Sequence, residues 1–393
     1  MPREKLRPFI VTLIALLLPV IAGPSVVRAQ STINVEQIVA EKVRPIVPDD
    51  GDGGVAVAVR IDGKTAFFNF GNADRARNRP VTADAIFNLG SVGKLFATTL
   101  LAQAVKRGEL ALDDPVAKYV TQLQHGADIR RVTLGQLASH TSGLPRAPGQ
   151  YEHWHRGKYT FPDFVRFLNS WKADDQHQPG QQYLYSNTAM VLLRVALERR
   201  FHTPFATLMR QRLTGPLGMN STALPLPQAL LSRAVQGYGP KGRPLGRPGD
   251  EQGVFAWVGA GQIYSSPHDM ATFLNANLDE LPDHRPIEAA MALAQQGVFK
   301  VNPHFTQALA WQIITGGNLT IIDKNGGLNN TSTYIGFVPQ QKRCRHPREP
   351  RPTECHQVRA ANPACAGGGD VGALGRGRRA RPPAPRFLVQ LWI

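Results

Sequence analysis

Phe87-Asn88-Leu89-Gly90-Ser91-Val92-Gly93-Lys94-Leu95-Phe96 sets a hydroxyl and an amine three residues apart at the mouth of an apolar segment. If Ser91 opens a helix, that spacing puts both side chains on one face and leaves nearby backbone N–H groups to stabilise an oxyanion. A serine hydroxyl is a weak nucleophile. A lysine desolvated by Leu95, Phe96 and Leu100 can lose its own proton and take the serine's. Alone the pattern is a weak signal: Ser-x-x-Lys is expected about once by chance in a chain this long, and Ser91 as a plain helix N-cap competes with it.

Upstream, Arg3, Lys5 and Arg7 precede an apolar run from Phe9 to Ala22, and Val27-Arg28-Ala29 supplies small residues before Gln30. This is the pattern of a secretory signal peptide over residues 1–29. A membrane anchor is the alternative, but Pro19, Gly23 and Pro24 interrupt a stretch already short for a span. The expected product is an exported chain with no stable membrane span after signal removal. All three cysteines, Cys344, Cys355 and Cys365, lie beyond Arg343, so the body is expected to use no disulfide. Of the formal charge of +16, residues 1–29 carry +3 and residues 341–393 carry +8, leaving +5 on the body. With the basic excess at the two ends and no basic stripe interleaved with aromatics, a nucleic-acid surface is excluded.

Residues 30–340 are long enough for a large core. Val55 to Arg60 and Thr65 to Phe70 flank Asp62-Gly63 and read as a β-hairpin. Leu95 to Leu110 has helical spacing, and Leu112-Asp113-Asp114-Pro115 carries a helix-start signal. The chain from Leu123 to Gly246 reads as largely helical. Ser266-Pro267 starts a helix over His268 to Leu278, and Trp311–Ile314, Leu319–Ile322 and Thr333–Val338 read as strands. The pieces describe an α+β fold in which both ends of the body build one antiparallel sheet and a helical domain is inserted between them.

Two further segments turn the first motif into a candidate site. Tyr185-Ser186-Asn187 precedes an apolar helix from Met190 to Leu197. Tyr185 could move a proton if neighbouring ammonium groups favour its phenolate, and Asn187 offers an amide to hold Lys94 and a substrate carbonyl. A buried tyrosine followed by an N-capping residue is the structural alternative. In Lys324-Asn325-Gly326-Gly327, Lys324 supplies charge for a substrate carboxylate, and the glycines let backbone approach a ligand. The N–H of Gly327 is a candidate oxyanion donor opposite that of Ser91. The alternative there is a hairpin turn without chemistry. No metal is expected, because Glu152-His153-Trp154-His155 lacks the i,i+4 histidine spacing of a zinc hydrolase.

In order and separation, Ser91-Val92-Gly93-Lys94, Tyr185-Ser186-Asn187 and Lys324-Asn325-Gly326 resemble the three motifs of the serine β-lactamase and penicillin-binding protein superfamily. The tyrosine in the second motif resembles class C β-lactamases and the related D-alanyl-D-alanine carboxypeptidases and esterases. Leu112-Asp113-Asp114-Pro115-Val116, Leu213 to Met219 and Gly336-Phe337-Val338-Pro339 extend the likeness from about Ile38 to Gln340. Departures are Asn325, where the family usually has threonine, and Ser186, which with His140 to Pro145 looks more like the carboxypeptidase and esterase relatives.

The resemblance implies a β-lactamase/transpeptidase-like fold, with residues 30–90 and 255–340 as a sheet lobe and 91–254 as a mainly helical lobe. It implies a periplasmic, monomeric serine β-lactamase without cofactor, acting on a small β-lactam. A D,D-carboxypeptidase or endopeptidase on a cell-wall peptide, an esterase, or a non-catalytic wall-binding protein are the alternatives. Ser91, Lys94 and Tyr185 would be catalytic, with Ser91 and Gly327 N–H groups as oxyanion donors and Asn187, Lys324, Asn325 and Gly326 binding substrate. The family adds one more strand and a closing helix after Phe-Val-Pro. Residues 341–393 instead become rich in Arg, Pro, Gly and Ala, so an aberrant basic tail is expected, with a reading-frame shift near residue 341 and a vacant strand position.

Overall fold

A computed structural model of the chain describes residues 34–47, 53–148, 159–239, 242–250, 258–281, 285–328, 330–339 and 387–392. The expected signal peptide, the Glu152–His155 cluster and residues 341–386 of the expected tail lie outside them.

Helix α1 (Val35–Val43) is capped by Asn34, whose side chain accepts from the Gln37 N–H at 3.0 Å. The alternating stretch that follows forms the expected hairpin, β1 (Gly54–Ile61) with β2 (Lys64–Asp74), paired from Gly54↔Gly71 to Ile61↔Lys64. Asp62 and Gly63 both take positive φ, +48° and +80°, as a two-residue turn matched to strand twist requires. The short β3 (Arg79–Pro80) lies at the sheet edge, where a proline costs no ladder bond.

Next come β4 (Phe87–Asn88), a 3-10 turn over Gly90–Gly93, and α2 (Lys94–Lys106). Helix α2 is buried on nearly every side from Lys94 to Ala104, which is how a helix behaves when it forms the middle of a core. The stretch expected to be largely helical is more broken than its composition suggested. It contains α3 (Leu134–Ala138), α4 (Phe161–Ser170), α5 (Asn187–Phe201) and α6 (Phe205–Met209), separated by loops and 3-10 turns. Prolines such as Pro204, Pro225 and Pro227 and left-handed Gly218 deny it longer helices.

Strand β5 (Tyr264–Ser265) pairs with β4, and Ser266 caps α7 (Pro267–Asn277) with its hydroxyl accepting from Asp269 N–H at 3.2 Å. Helix α8 (Arg285–Ala294), not legible in the sequence, packs on α2. The chain then meanders through β6 (Phe299–Asn302), β7 (Phe305–Gln307), β8 (Gln312–Gly316), β9 (Leu319–Leu328) and β10 (Thr331–Phe337). Lys324 to Gly327 therefore lie inside a strand. The turn comes after them, where Asn330 has φ +58°.

The nine-stranded sheet has the order β3-β2-β1-β11-β10-β9-β8-β7-β6, where β11 is Phe387–Trp392. The expectation of a vacant strand position is corrected here. Beyond the Arg- and Pro-rich stretch, the run Phe387-Leu388-Val389-Gln390-Leu391-Trp392 is apolar enough to take that place, antiparallel to both β1 and β10. Both ends of the body thus supply the sheet, as expected. Its two faces differ. A large core including Leu95, Phe96, Leu100, Leu193, Phe273 and Trp311 fills the helical side, and a smaller cluster of Val39, Val43, Val55, Val57, Val59, Ile321 and Tyr334 lies beneath α1.

Candidate active site

The nucleophile turn is held by backbone. Leu89 N–H donates to Ile263 O at 2.8 Å, Leu89 O accepts from the Thr333 hydroxyl of β10 at 2.7 Å, and Asn88 Oδ1 accepts from Gly90 N–H at 2.9 Å. Gly90 takes φ +49°, and β9 crosses directly over the turn. A Cβ on Gly90 would meet Gly327 N at 2.5 Å, and a Cβ on Gly326 would meet Leu89 O at 2.3 Å and Ser91 N at 2.8 Å. The glycines of the third motif are needed because two backbones touch there.

On that platform the three expected reactive groups meet. Lys94 Nζ lies 3.0 Å from Ser91 Oγ, and the Tyr185 hydroxyl donates to the same oxygen at 2.7 Å. Lys94 is fully buried and also donates to Ala260 O at 2.6 Å, so a backbone carbonyl positions the amine rather than the side chain of Asn187. Burial, reinforced by the charge of Arg146, pushes the Lys94 ammonium well below the usual lysine range. The amine therefore gives up its proton more readily than an exposed lysine, which suits it to take the proton of Ser91.

Tyr185 precedes α5, whose N-cap is Ser186. The Ser186 hydroxyl accepts from Ala189 N–H at 2.9 Å and donates to Pro145 O at 2.8 Å. The capping alternative and the catalytic reading thus belong to adjacent residues and do not compete. Three basic groups surround the Tyr185 ring: Lys94 Nζ at 5.1 Å, Lys324 Nζ at 5.1 Å and the Arg146 guanidinium at 5.7 Å from its centroid. Lys324 is 1 % exposed, so its charge acts on the tyrosine before it can act on anything outside. Asn187 is the first residue of α5. Its N–H donates to Arg146 O at 3.1 Å, and its buried Oδ1 has no hydrogen-bond partner among the described residues.

Lys324 and Gly326 share the sheet face that meets Ser91. Alternation puts Asn325 on the other face, opposite Tyr334 of the cluster beneath α1, so Asn325 is not brought together with the rest. Gly327 abuts Gly90. Sequence reasoning missed Ala260, whose contribution is a main-chain oxygen with no residue-type signature, and Arg146. His140 was noticed only as part of a likeness; it is fully buried, 4.6 Å from the Tyr185 ring, and kept from protonating by burial and by the charges of Lys324 and Lys94. Among the described residues no group of three or more His, Cys, Asp or Glu could hold a metal ion.

The family model described as Beta-lactamase matches residues 35–345. A β-lactamase of Escherichia coli (strain K12) is 30% identical over 371 residues, covering 85% of this chain and 92% of that protein. One from Pseudomonas fluorescens is 26% identical over 339 residues, covering 78% and 91%. Among solved structures, a class C β-lactamase superposes with a TM-score of 0.70 at 24% identity, over 79% of this chain and 92% of that one. A D-alanine carboxypeptidase from Burkholderia cenocepacia does so with a TM-score of 0.68 at 28% identity, over 77% and 90%.

Proposed function

The chain belongs to the β-lactamase family, and from that membership we propose that it is a class C-like serine β-lactamase that opens the lactam ring through an ester on Ser91. One observation carries the reading: a single oxygen, Ser91 Oγ, is bonded at once to a deprotonatable amine and to a phenol. In acylation the Ser91 proton passes to neutral Lys94 as Oγ bonds to the carbonyl carbon. The ring C–N bond then breaks, and Tyr185 gives its proton to the departing nitrogen. Lys94 has become an ammonium just as Tyr185 becomes a phenolate, and Lys324 adds a second positive charge beside that ring. In deacylation the phenolate takes a proton from water, the hydroxide adds to the ester, and Ser91 Oγ leaves with the proton stored on Lys94.

The oxyanion falls to the N–H groups of Ser91 and Gly327, each such donor being worth roughly 3 kcal/mol in the transition state. Asn187, with its unsatisfied Oδ1, is suited to the amide of the acyl side chain. Lys324 and exposed Arg146 make the pocket attractive to an anionic substrate. Asn325 has no part in this scheme. Ser186, His140 and the carboxypeptidase neighbour favour a second reading, D-alanyl-D-alanine carboxypeptidase action at the same serine. Nitrocefin turnover measured beside D-alanine release from a cell-wall peptide separates them. Fast nitrocefin hydrolysis is expected, and a stable penicilloyl-enzyme with D-alanine release would overturn the lactamase assignment.

Export to the periplasm as a monomer belongs to the same proposal. No helix among the described residues is long and apolar enough to cross a membrane. Cell fractionation with N-terminal sequencing should find the chain starting at Gln30 in the periplasmic extract, and light scattering should give the mass of one chain.

A further inference from the structure

His140 follows α3 and its neighbour Ser139, and it adopts a left-handed φ of +59° in a fully buried position. Side chains other than glycine seldom take that conformation, and a protein keeps such a residue where its surroundings demand it. Here the demand comes from the segment carrying Tyr185. The carbonyl of His140 accepts from Leu184 N–H at 2.8 Å, and its ring Nδ1 accepts from Ser186 N–H at 3.3 Å. One residue thus holds the amides immediately before and after the tyrosine. Its ring also lies 4.6 Å from the Tyr185 ring, inclined at 40°.

From this arrangement we infer that His140 is a positioning residue that aims the Tyr185 hydroxyl at Ser91, acting as a neutral hydrogen-bond acceptor. Because Nδ1 accepts, the ring proton sits on Nε2, an atom that is buried without a hydrogen-bond partner among the described residues. The protein leaves that donor unsatisfied and strains the backbone in order to place one acceptor. A protonated ring would lose the acceptor and place a charge in a buried site beside Lys324 and Lys94, and burial first, then those basic neighbours, oppose its protonation. The position therefore asks for three things together: tolerance of positive φ, an acceptor one bond beyond Cγ, and no charge. Asparagine meets all three. Glutamine reaches instead to the place of Nε2 and leaves Ser186 N–H unpaired, and glycine fits the backbone but offers no acceptor.

The inference rests on Ser91 chemistry as proposed above, so its test reads acylation directly, as the rate at which a fluorescent penicillin labels Ser91 in the full chain. His140→Asn should label within about 3-fold of the unaltered protein, whereas His140→Gln and His140→Gly should slow roughly 10- to 100-fold, the range for misdirected proton transfer. Equal rates for the Asn and Gln variants, or a normal rate for the Gly variant, would overturn the inference. A second arm separates aiming from general loosening of the fold. In a Tyr185→Phe background, His140→Gln should cost no more than about 3-fold further, because an absent phenol cannot be misaimed. If the two losses instead multiplied in full, His140 would be merely structural. Where the Gln variant does not fold, the Gly variant takes its place in this cycle. Labelling without turnover in the unaltered chain would defeat the lactamase reading alone; no labelling at all would defeat both.

Discussion

Strands β9 and β10 carry two kinds of chemistry on their two faces. Toward the helices, Lys324 and Gly326 meet Ser91, Lys94 and Tyr185, where basic side chains are buried, Gly90 and His140 take positive φ, and Asn187 Oδ1 and His140 Nε2 have no hydrogen-bond partner among the described residues. Beneath α1, Ile321 and Tyr334 of the same strands pack on valines of β1 in regular alternation, and the one charged group of β9 on this face, buried Asp323, accepts from the Tyr334 hydroxyl at 3.3 Å. The same hydrogen-bonded ladder supports both. The contrast shows where stability has been given up for reactivity: the strained backbone and buried basic groups sit on one side of the sheet, and the mainly apolar side, with Asp323 tied to Tyr334, supplies the rigidity that keeps them in place.

The sharpest way to break this division is Lys94→Met. Activity should fall by more than about a thousandfold with the proton acceptor gone, while thermal stability should rise. Lys94 has its ammonium disfavoured in the fold, so the unfolded chain binds the extra proton between the lowered folded value and the ordinary value near 10.5. Stability of the unaltered protein should therefore climb as pH rises through that window, and the Met variant should lose this slope. A calorimetric scan at several pH values, beside nitrocefin assays, checks both signs. An unstable Met variant would show that Lys94 is a structural support.

Gly326→Ala should come next. Its Cβ would force apart β9 and the nucleophile turn, so nitrocefin turnover should drop by a factor of hundreds or more, at an overpacking cost of about 1–3 kcal/mol in stability. Tyr185→Phe keeps the ring and should spare the melting temperature, yet lower turnover roughly 100-fold through lost acid–base transfer. Near-normal hydrolysis by that variant would remove Tyr185 from the mechanism. Arg146→Ala should act more gently. Because its guanidinium helps hold Lys94 down, removing it lets the Lys94 value rise, and the acid limb of kcat/KM should move to higher pH. A limb that stays in place would show that burial alone tunes the amine. On the quiet face, Val57→Ala should cost about 1–3 kcal/mol of stability by leaving a cavity, with kcat within twofold. A large loss of turnover there would mean the two faces are not separable.

What the sequence revealed follows the same line. Ser91 and Lys94 were legible because a spacing of three fixes their meeting, here across the 3-10 turn that leads Ser91 into α2, and Tyr185 and Lys324 because short motifs carried them in order. The hairpin at Asp62-Gly63 was legible because its turn chemistry is local. Ala260 was not, since any residue has a carbonyl, and its role arises only when the chain returns from 166 positions away. The contacts of His140 were hidden in the same way: its partners Leu184 and Ser186 come from a distant stretch. Asn325 was read as sharing a site with Lys324 because the motif was taken without strand alternation, which pairs it with Tyr334 and sets it on the opposite sheet face. Strands β6 and β7 are short and weakly patterned, and β11 was obscured by the Arg- and Pro-rich composition before it.

Strand β11 also bears on how fast the molecule can form. Its register joins Thr333 to Trp392 on one side and Ala56 to Trp392 on the other, and the second of these pairings brings together residues more than three hundred positions apart. Loop-closure entropy grows only slowly with length, but pairings this distant in sequence are found late in folding. Until β11 docks, β1 and β10 each present an unpaired edge. During that interval the nascent sheet is a template for any extended chain nearby, so refolding yield should fall steeply with protein concentration, more steeply than final stability would suggest.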